Sequence, residues 1–157
     1  MGGEKFEVAD ADPRGPEAAE LIRALSAELA RRYDYMEDGS GGFEPEHALG
    51  PRGAFVIGRV AGRPVACGAI RPLAEAVAEL KRVYVKDGFR GRGYSKVVVR
   101  ELERLARARG YKVMRLETGV RQPEAISLYE SLGYHRIPNY GEYRESSLSV
   151  CYEKGLA

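Results

Sequence analysis

Cysteine is scarce. Only Cys67 and Cys151 occur, far apart and inside apolar strand-like runs, with neither CxxC spacing nor a histidine cluster beside them. That pattern offers no disulfide framework and no metal-ligand set, so both are read as buried free thiols and no metal is expected. An excess of one charge is also missing: 25 Lys and Arg stand against 23 Asp and Glu, a formal net charge of +2 at pH 7. A polyanion partner for the whole surface is not implied, and any electrostatic function must be local. No apolar run reaches the ~18 residues that a membrane span needs. The start, MGGEKFEVADADP, has no basic region leading into an apolar one, so the expectation is a cytoplasmic protein without a membrane span or leader. What remains is a composition of 44% hydrophobic and 31% charged residues over 157 positions. That is ordinary for one domain, here residues 1–157, able to bury a core unaided.

Along the chain, FEVA reads as a strand, and Leu21, Ile22, Leu25 and Leu29 recur at helical spacing through about Tyr33. Residues 34–53 lack a sustained period and read as a loop with one short helix around Pro45 to Leu49. AFVIGRV and VACGAIRPL flank AGRP as a hairpin, and AVAELKRVYV follows as the next strand. Val98, Leu102, Leu105 and Ala106 mark a helix that stops at Gly110, YKVMRLET is a strand, and PEAISLYESLG is a shorter helix with Pro at its start and Gly133 at its end. A short strand from Tyr134 and a last one, LSVCYEK, complete a mixed α/β sheet with helices packed on it.

The strand-to-helix turn RGRGYSK, residues 90–96, concentrates chemistry. A helix N-terminus leaves about four backbone N–H groups without intrahelical partners and carries partial positive charge. Gly91 and Gly93 allow close approach of a ligand, and Arg90, Arg92 and Lys96 add full charges. From Lys81 to Arg100 there are seven basic residues and one acid, Asp87. A phosphate or pyrophosphate suits such a turn. The pattern is neither GxxxxGK[ST] nor GxGxxG, and a solvated basic turn whose glycines only reverse the chain is the alternative.

Arg90-Gly91-Arg92-Gly93-Tyr94-Ser95 resembles the CoA signature Q/R-x-x-G-x-G/A of the GNAT superfamily of N-acetyltransferases, with Ser95 as a small replacement whose hydroxyl is available to cap the helix. Gln122-Pro-Glu-Ala-Ile-Ser-Leu-Tyr129-Glu-Ser-Leu-Gly133-Tyr134 is similar to the superfamily's N-x-x-A-x-x-L-Y-E-x-x-G-F/Y, with Gln122 in place of Asn. The two motifs lie about 30 residues apart in the expected β–α–β–α order. The resemblance runs from the first strand to the last. It implies a mostly antiparallel sheet of about six to seven strands, with a splayed fourth and fifth pair, flanked by about four helices. It implies acetyl-CoA as co-substrate, with the backbone of Val83, Tyr84 and Val85 on the pantetheine and residues 91–95 on the pyrophosphate, joined by Arg90 and Gln122. The expected reaction is acetyl transfer to a primary amine by direct attack on the thioester.

An alkylammonium with a pKa of about 10.4 must lose a proton before it attacks. Glu79, eleven residues before Arg90 and sharing strand parity with Val83 and Val85, stands where histone-acetylating members carry their base; Glu117 in RLETG is the second candidate. Tyr129 matches the superfamily's proton donor at the CoA sulfur, though a helix tyrosine packed beside Ile126 and Leu132 is the plain alternative. The acceptor pocket is expected from the 34–53 loop, which carries Asp34, Glu37, Asp38, Glu44 and Glu46 with Tyr35 and Phe43, and with Tyr33 just before it. Acidity there points to a cationic acceptor, a small-molecule amine or a protein or peptide amine. A catalytically silent acetyl-CoA-binding sensor is the alternative. Nucleic-acid binding through residues 81–100 lacks aromatic platforms and a recognition-helix pattern. Homodimerisation is common in the superfamily, but no interface is legible.

Overall fold

The structure is a computed structural model that describes residues 5–33 and 43–157. Among these residues seven strands form one sheet: β1 (Phe6–Asp10), β2 (Ala54–Val60), β3 (Arg63–Ala74), β4 (Val77–Val85), β5 (Val113–Gly119), β6 (His135–Ile137) and β7 (Ser149–Gly155). Their spatial order is β1-β2-β3-β4-β5-β7-β6, and every neighbouring pair is antiparallel except β4 and β5. The helices are α1 (Pro16–Arg32), α2 (Tyr94–Ala108) and α3 (Pro123–Ser131), with short 3-10 helices at Pro45–Ala48 and Gly141–Tyr143. The expected four or so helices are therefore, among the described residues, three α-helices and two 3-10 turns. No helix is long and apolar enough to cross a membrane among them.

Local chemistry sets the boundaries. Pro16 and Pro123 open α1 and α3, where a missing N–H costs nothing, and Gly110 and Gly133, with φ of 90° and 94°, take the left-handed conformation just past α2 and α3. The β2–β3 hairpin closes through Ala61 and Gly62, both at positive φ, the backbone twist that a two-residue connection requires. Alternation along the strands then divides the core. Val56, Ala66, Ile70 and Leu80 pack with Val98 and Leu102 of α2 on one face. Phe55, Ile57, Cys67 and Ala69 pack with Ala18, Leu21 and Leu25 of α1 on the other. Both cysteines are buried and free, and burial pushes the Cys67 thiol up to about 12.

One irregularity matters for the site. Cys67 pairs with Tyr84 and Ala69 with Lys81, so three steps along β4 match two along β3. The extra residue is a bulge around Arg82, whose φ of 59° is left-handed for a non-glycine residue. The Arg82 guanidinium bonds the Ile22 carbonyl at 3.2 Å and the Ser26 hydroxyl, which fastens the bulge to α1. The bulge reverses the alternation, and this corrects the expected parity of Glu79. Glu79 and Lys81 share the α1 face with Tyr84, whereas Val83 and Val85 turn to the α2 face.

Candidate functional site

The parallel pairing of β4 and β5 runs from Val77 opposite Val113 to Leu80 opposite Leu116 and then ends. Past that point β4 stays on β3 as far as Val85, and β5 stays on β7 as far as Gly119. The two strands therefore diverge, and the backbone edges that a continuous sheet would pair are turned toward a gap. A cleft of about 500 Å³ opens there, walled by Val83 to Val85, the start of α2, and Gln122, Leu128 and Tyr129. A smaller cavity of about 110 Å³ shares Leu25, Val83, Gln122, Ala125 and Tyr129 with it and adds Lys81, Glu117 and Thr118. The two adjoin, and their walls come from both faces of the sheet.

At the outer end of the cleft stands the α2 N-terminus. Its N-cap is Gly93 at φ 79°, no side chain caps it, and its first turn holds no acidic residue. The Ser95 hydroxyl, expected as a cap, does not serve as one, because the chain enters the helix at Gly93 and Ser95 already lies within the first turn. A Cβ at Gly91 or Gly93 would meet nothing within 4 Å, so the protein leaves open space on that side of the turn. The basic side chains divide the labour. Arg90 donates to the Val85 carbonyl at 2.8 Å and to Glu28 at 2.7 Å, locking the turn to β4 and α1. Arg92 reaches the Gly88 carbonyl, and Lys96 lines the cleft.

The α3 side is stitched to α1. Gln122 Oε1 accepts from the Gly119 N–H at 3.1 Å, and the Tyr33 hydroxyl donates to the same oxygen at 3.4 Å while accepting from the Arg121 N–H at 3.2 Å. A Cβ at Gly119 would fall 1.5 Å from Tyr33 Oη, so glycine is required where that ring closes over the end of β5. Tyr33, expected as part of the acceptor pocket, is buried in this stitch.

The candidate acids and bases sit in different surroundings. Glu79 is 1% exposed and held by Arg71 at 2.7 Å, the Tyr140 hydroxyl at 2.7 Å and the Tyr143 hydroxyl at 3.3 Å. It does not line either cavity. Burial, with the Glu79 charge next, holds the Tyr140 and Tyr143 hydroxyls in their protonated form well above the usual tyrosine range. Glu117 does line the inner cavity, accepts from Ser149 Oγ at 2.6 Å, and is raised above the ordinary carboxylate range by burial. Tyr129 lines both cavities, and burial raises its hydroxyl too. Glu79→Gln should lower unfolding stability by about 2 kcal/mol, since it removes the buried charge partner of Arg71 and leaves that guanidinium only the longer pair to the exposed Glu142 at 3.5 Å, and should leave acetyl-CoA affinity unchanged. Urea unfolding and calorimetric titration of the variant check both.

Against known proteins, the model of the Acetyltransferase (GNAT) family matches residues 19–134, more than half of the chain. The chain belongs to the GNAT acetyltransferase family. Its members are acetyl-CoA-dependent acyltransferases, with acetyl-CoA as co-substrate. A crystal structure from Klebsiella pneumoniae, provisionally named an acyl-CoA N-acyltransferase, is similar over 97% of this chain and 98% of that one, with 33% identity and a TM-score of 0.80. A GNAT acetyltransferase from Elizabethkingia anophelis with acetyl-CoA bound shares the fold over 96% and 97% of the two chains, at 14% identity and a TM-score of 0.68. The mouse "Probable N-acetyltransferase family 8 member 5" is 39% identical over 90 residues, 57% of this chain and 38% of that protein.

In this GNAT chain, every residue expected to touch the cofactor lines the cleft except Arg92. Of the two glutamates read as candidate bases, the structure brings Glu117 together with Tyr129 and leaves Glu79 one row back along the sheet. Asp34, Tyr35, Glu37 and Asp38 of the expected acceptor loop lie outside the described residues. Within the described part, Glu44 forms a capping box with His47, and Phe43 is buried in the α1-face core. Sequence reasoning missed Lys81 and Leu25 as wall residues. Leu25 carried a signal in its helical stripe, whereas Lys81 looked like one of seven basic residues spread from 81 to 100.

Proposed function

We propose that the protein transfers an acetyl group from acetyl-CoA to a primary amine, with Glu117 accepting the amine's proton and Tyr129 donating one to the departing sulfur. The observation that carries this reading is the divergence of β4 and β5 after Leu80 and Leu116 into adjoining cavities, with Glu117 and Tyr129 on their walls. The uncapped α2 N-terminus, with the open space at Gly91 and Gly93, suits the pyrophosphate, and the edge of Val83 to Val85 suits the pantetheine amides. Bound there, acetyl-CoA supplies the thioester carbonyl that the amine attacks.

Glu117 is suited to proton transfer because burial weakens it as an acid, which brings its basicity closer to neutral pH, while Ser149 fixes its carboxylate. Tyr129 is suited to donation by its place on the walls of both cavities, where its protonated hydroxyl can meet the departing sulfur. Glu79 acts as a positioning residue that holds Tyr140 and Tyr143 over the same face. CoA release from acetyl-CoA with a panel of primary amines tests the reading. Tyr129→Phe should lower kcat by about 10²-fold with the acetyl-CoA Kd unchanged. Binding of acetyl-CoA with no release for any amine would instead identify an acetyl-CoA-binding module.

A further inference from the structure

Outside both cavities, two serine hydroxyls stand in line from Glu117 toward the surface. Ser149 Oγ donates to Glu117 Oε2 at 2.6 Å and lies 3.0 Å from Ser146 Oγ. A hydroxyl has one proton to give, so with that of Ser149 on Glu117, the proton between the serines comes from Ser146. Ser149 is 9% exposed, whereas Ser146 is half-buried between the exposed Glu145 and Ser147. Neither serine lines a cavity. The Asn139 side-chain amide holds the segment by donating to the carbonyls of Tyr143, Ser146 and Ser149 at 3.1–3.2 Å. Ser146 Oγ also accepts from the Leu148 N–H at 3.3 Å.

Proton balance gives this chain of hydroxyls a task. A primary amine that arrives as an alkylammonium, with a pKa of about 10.4, carries three protons on nitrogen, and the amide product keeps one. Of the two lost, one ends on the CoA sulfur and the other in water. The first must leave before attack, because until then the nitrogen lone pair is occupied, and the second leaves as the C–N bond forms and the C–S bond breaks. One carboxylate cannot hold both. We propose that Ser149 and Ser146 relay the first proton from Glu117 to water while the substrates fill the cavities, which frees Glu117 to take the second. The hydroxyls turn as the proton passes: Glu117 Oε2–H donates to Ser149 Oγ, the Ser149 proton moves to Ser146 Oγ, and the Ser146 proton moves to water. The second proton, on Glu117, returns to Tyr129, which has given its own to the sulfur; both side chains line the inner cavity. This rests on the reading of Glu117 as the base.

The test compares an amine that arrives charged with one that arrives neutral. CoA release is followed at pH 7 with the fastest alkylamine of the panel and with its analogue carrying three fluorines beside the amino-bearing carbon, too weak a base to be protonated there. Ethylamine and trifluoroethylamine are the smallest such pair. Ser146→Val removes a hydroxyl that does not itself touch Glu117, and it should lower kcat about tenfold more for the alkylamine than for the fluorinated amine, with KM values retained. Ser146→Thr, which keeps a hydroxyl, should restore the alkylamine rate. An equal loss on both amines, which slackening of the turn or of the Glu117 carboxylate would give, overturns the relay, and so does no loss on either; both leave Glu117 standing as the base. Glu117→Gln should slow both amines, since each loses the second proton, and full activity in that variant removes the base reading and the relay with it. If Ser146→Val does not fold, the same selective loss in Ser149→Ala decides the matter.

Discussion

Gly93→Glu should abolish measurable acetyl-CoA binding while the protein remains folded. The substitution places a carboxylate at the N-cap of α2, where uncapped amides and the helix dipole favour an anion. The new side chain enters space that the protein leaves empty, because a Cβ at residue 93 meets nothing within 4 Å. Its structural cost is the left-handed φ of 79°, about 1–2 kcal/mol for a non-glycine residue. The binding cost is larger. A fixed negative charge displaces the pyrophosphate from several charge-assisted hydrogen bonds of about 1.5–3 kcal/mol each, so the Kd should rise by about 10²-fold or more. Gly88→Glu is the matched control: Gly88 has φ 95° and equally open surroundings in the same loop, but it does not line the cleft. Titration should therefore separate the two variants, and wild-type affinity in Gly93→Glu would show that the anion sits elsewhere.

Glu117→Gln should lower kcat/KM by about 10²–10⁴-fold, the range for loss of a general base, with acetyl-CoA affinity intact. Its effect on stability should run the other way. Burial raises the Glu117 pKa above its unfolded value, so ionisation opposes folding, and whatever stability this carboxyl contributes is present in acid and lost as the pH rises through the folded pKa. Glutamine removes that loss and can still accept the Ser149 hydrogen bond. Thermal melts should show the variant at least as stable as wild type near neutral pH, with the difference growing from acid to neutral. A loss of turnover accompanied by a gain in stability is a combination that simple damage to the fold would not produce.

Much of the fold was legible because its cues are local. The three- and four-residue spacing of α1, the glycines beyond α2 and α3 and the turn at residues 61–62 act within a few positions of themselves. The motif from Arg90 to Ser95 and that from Gln122 to Tyr134 pointed to residues that line the cleft, since each is a short segment whose geometry is set by its own glycines and helix start. What was not legible depends on distant partners. The bulge at Arg82 is held by Ile22 and Ser26, about 60 residues earlier, and it reverses the alternation on which Glu79 was aligned with Val83 and Val85. The partners that hold Glu79 include Tyr140 and Tyr143, from a segment whose side chains had no assignable place in the sequence. Arg90 read as a phosphate contact, and the structure spends its guanidinium on Val85 and Glu28.

The measurement that bears most directly on this account is the dependence of kcat/KM on pH from about 5 to 9 for wild type and Glu117→Gln, with the best amine of the panel. Wild type should show an acid limb, activity falling as one group with a pKa above the usual carboxylate range takes up a proton, and the residual activity of the variant should show no such limb. The same limb in both proteins, or full activity in Glu117→Gln, would contradict the assignment of Glu117 as the base.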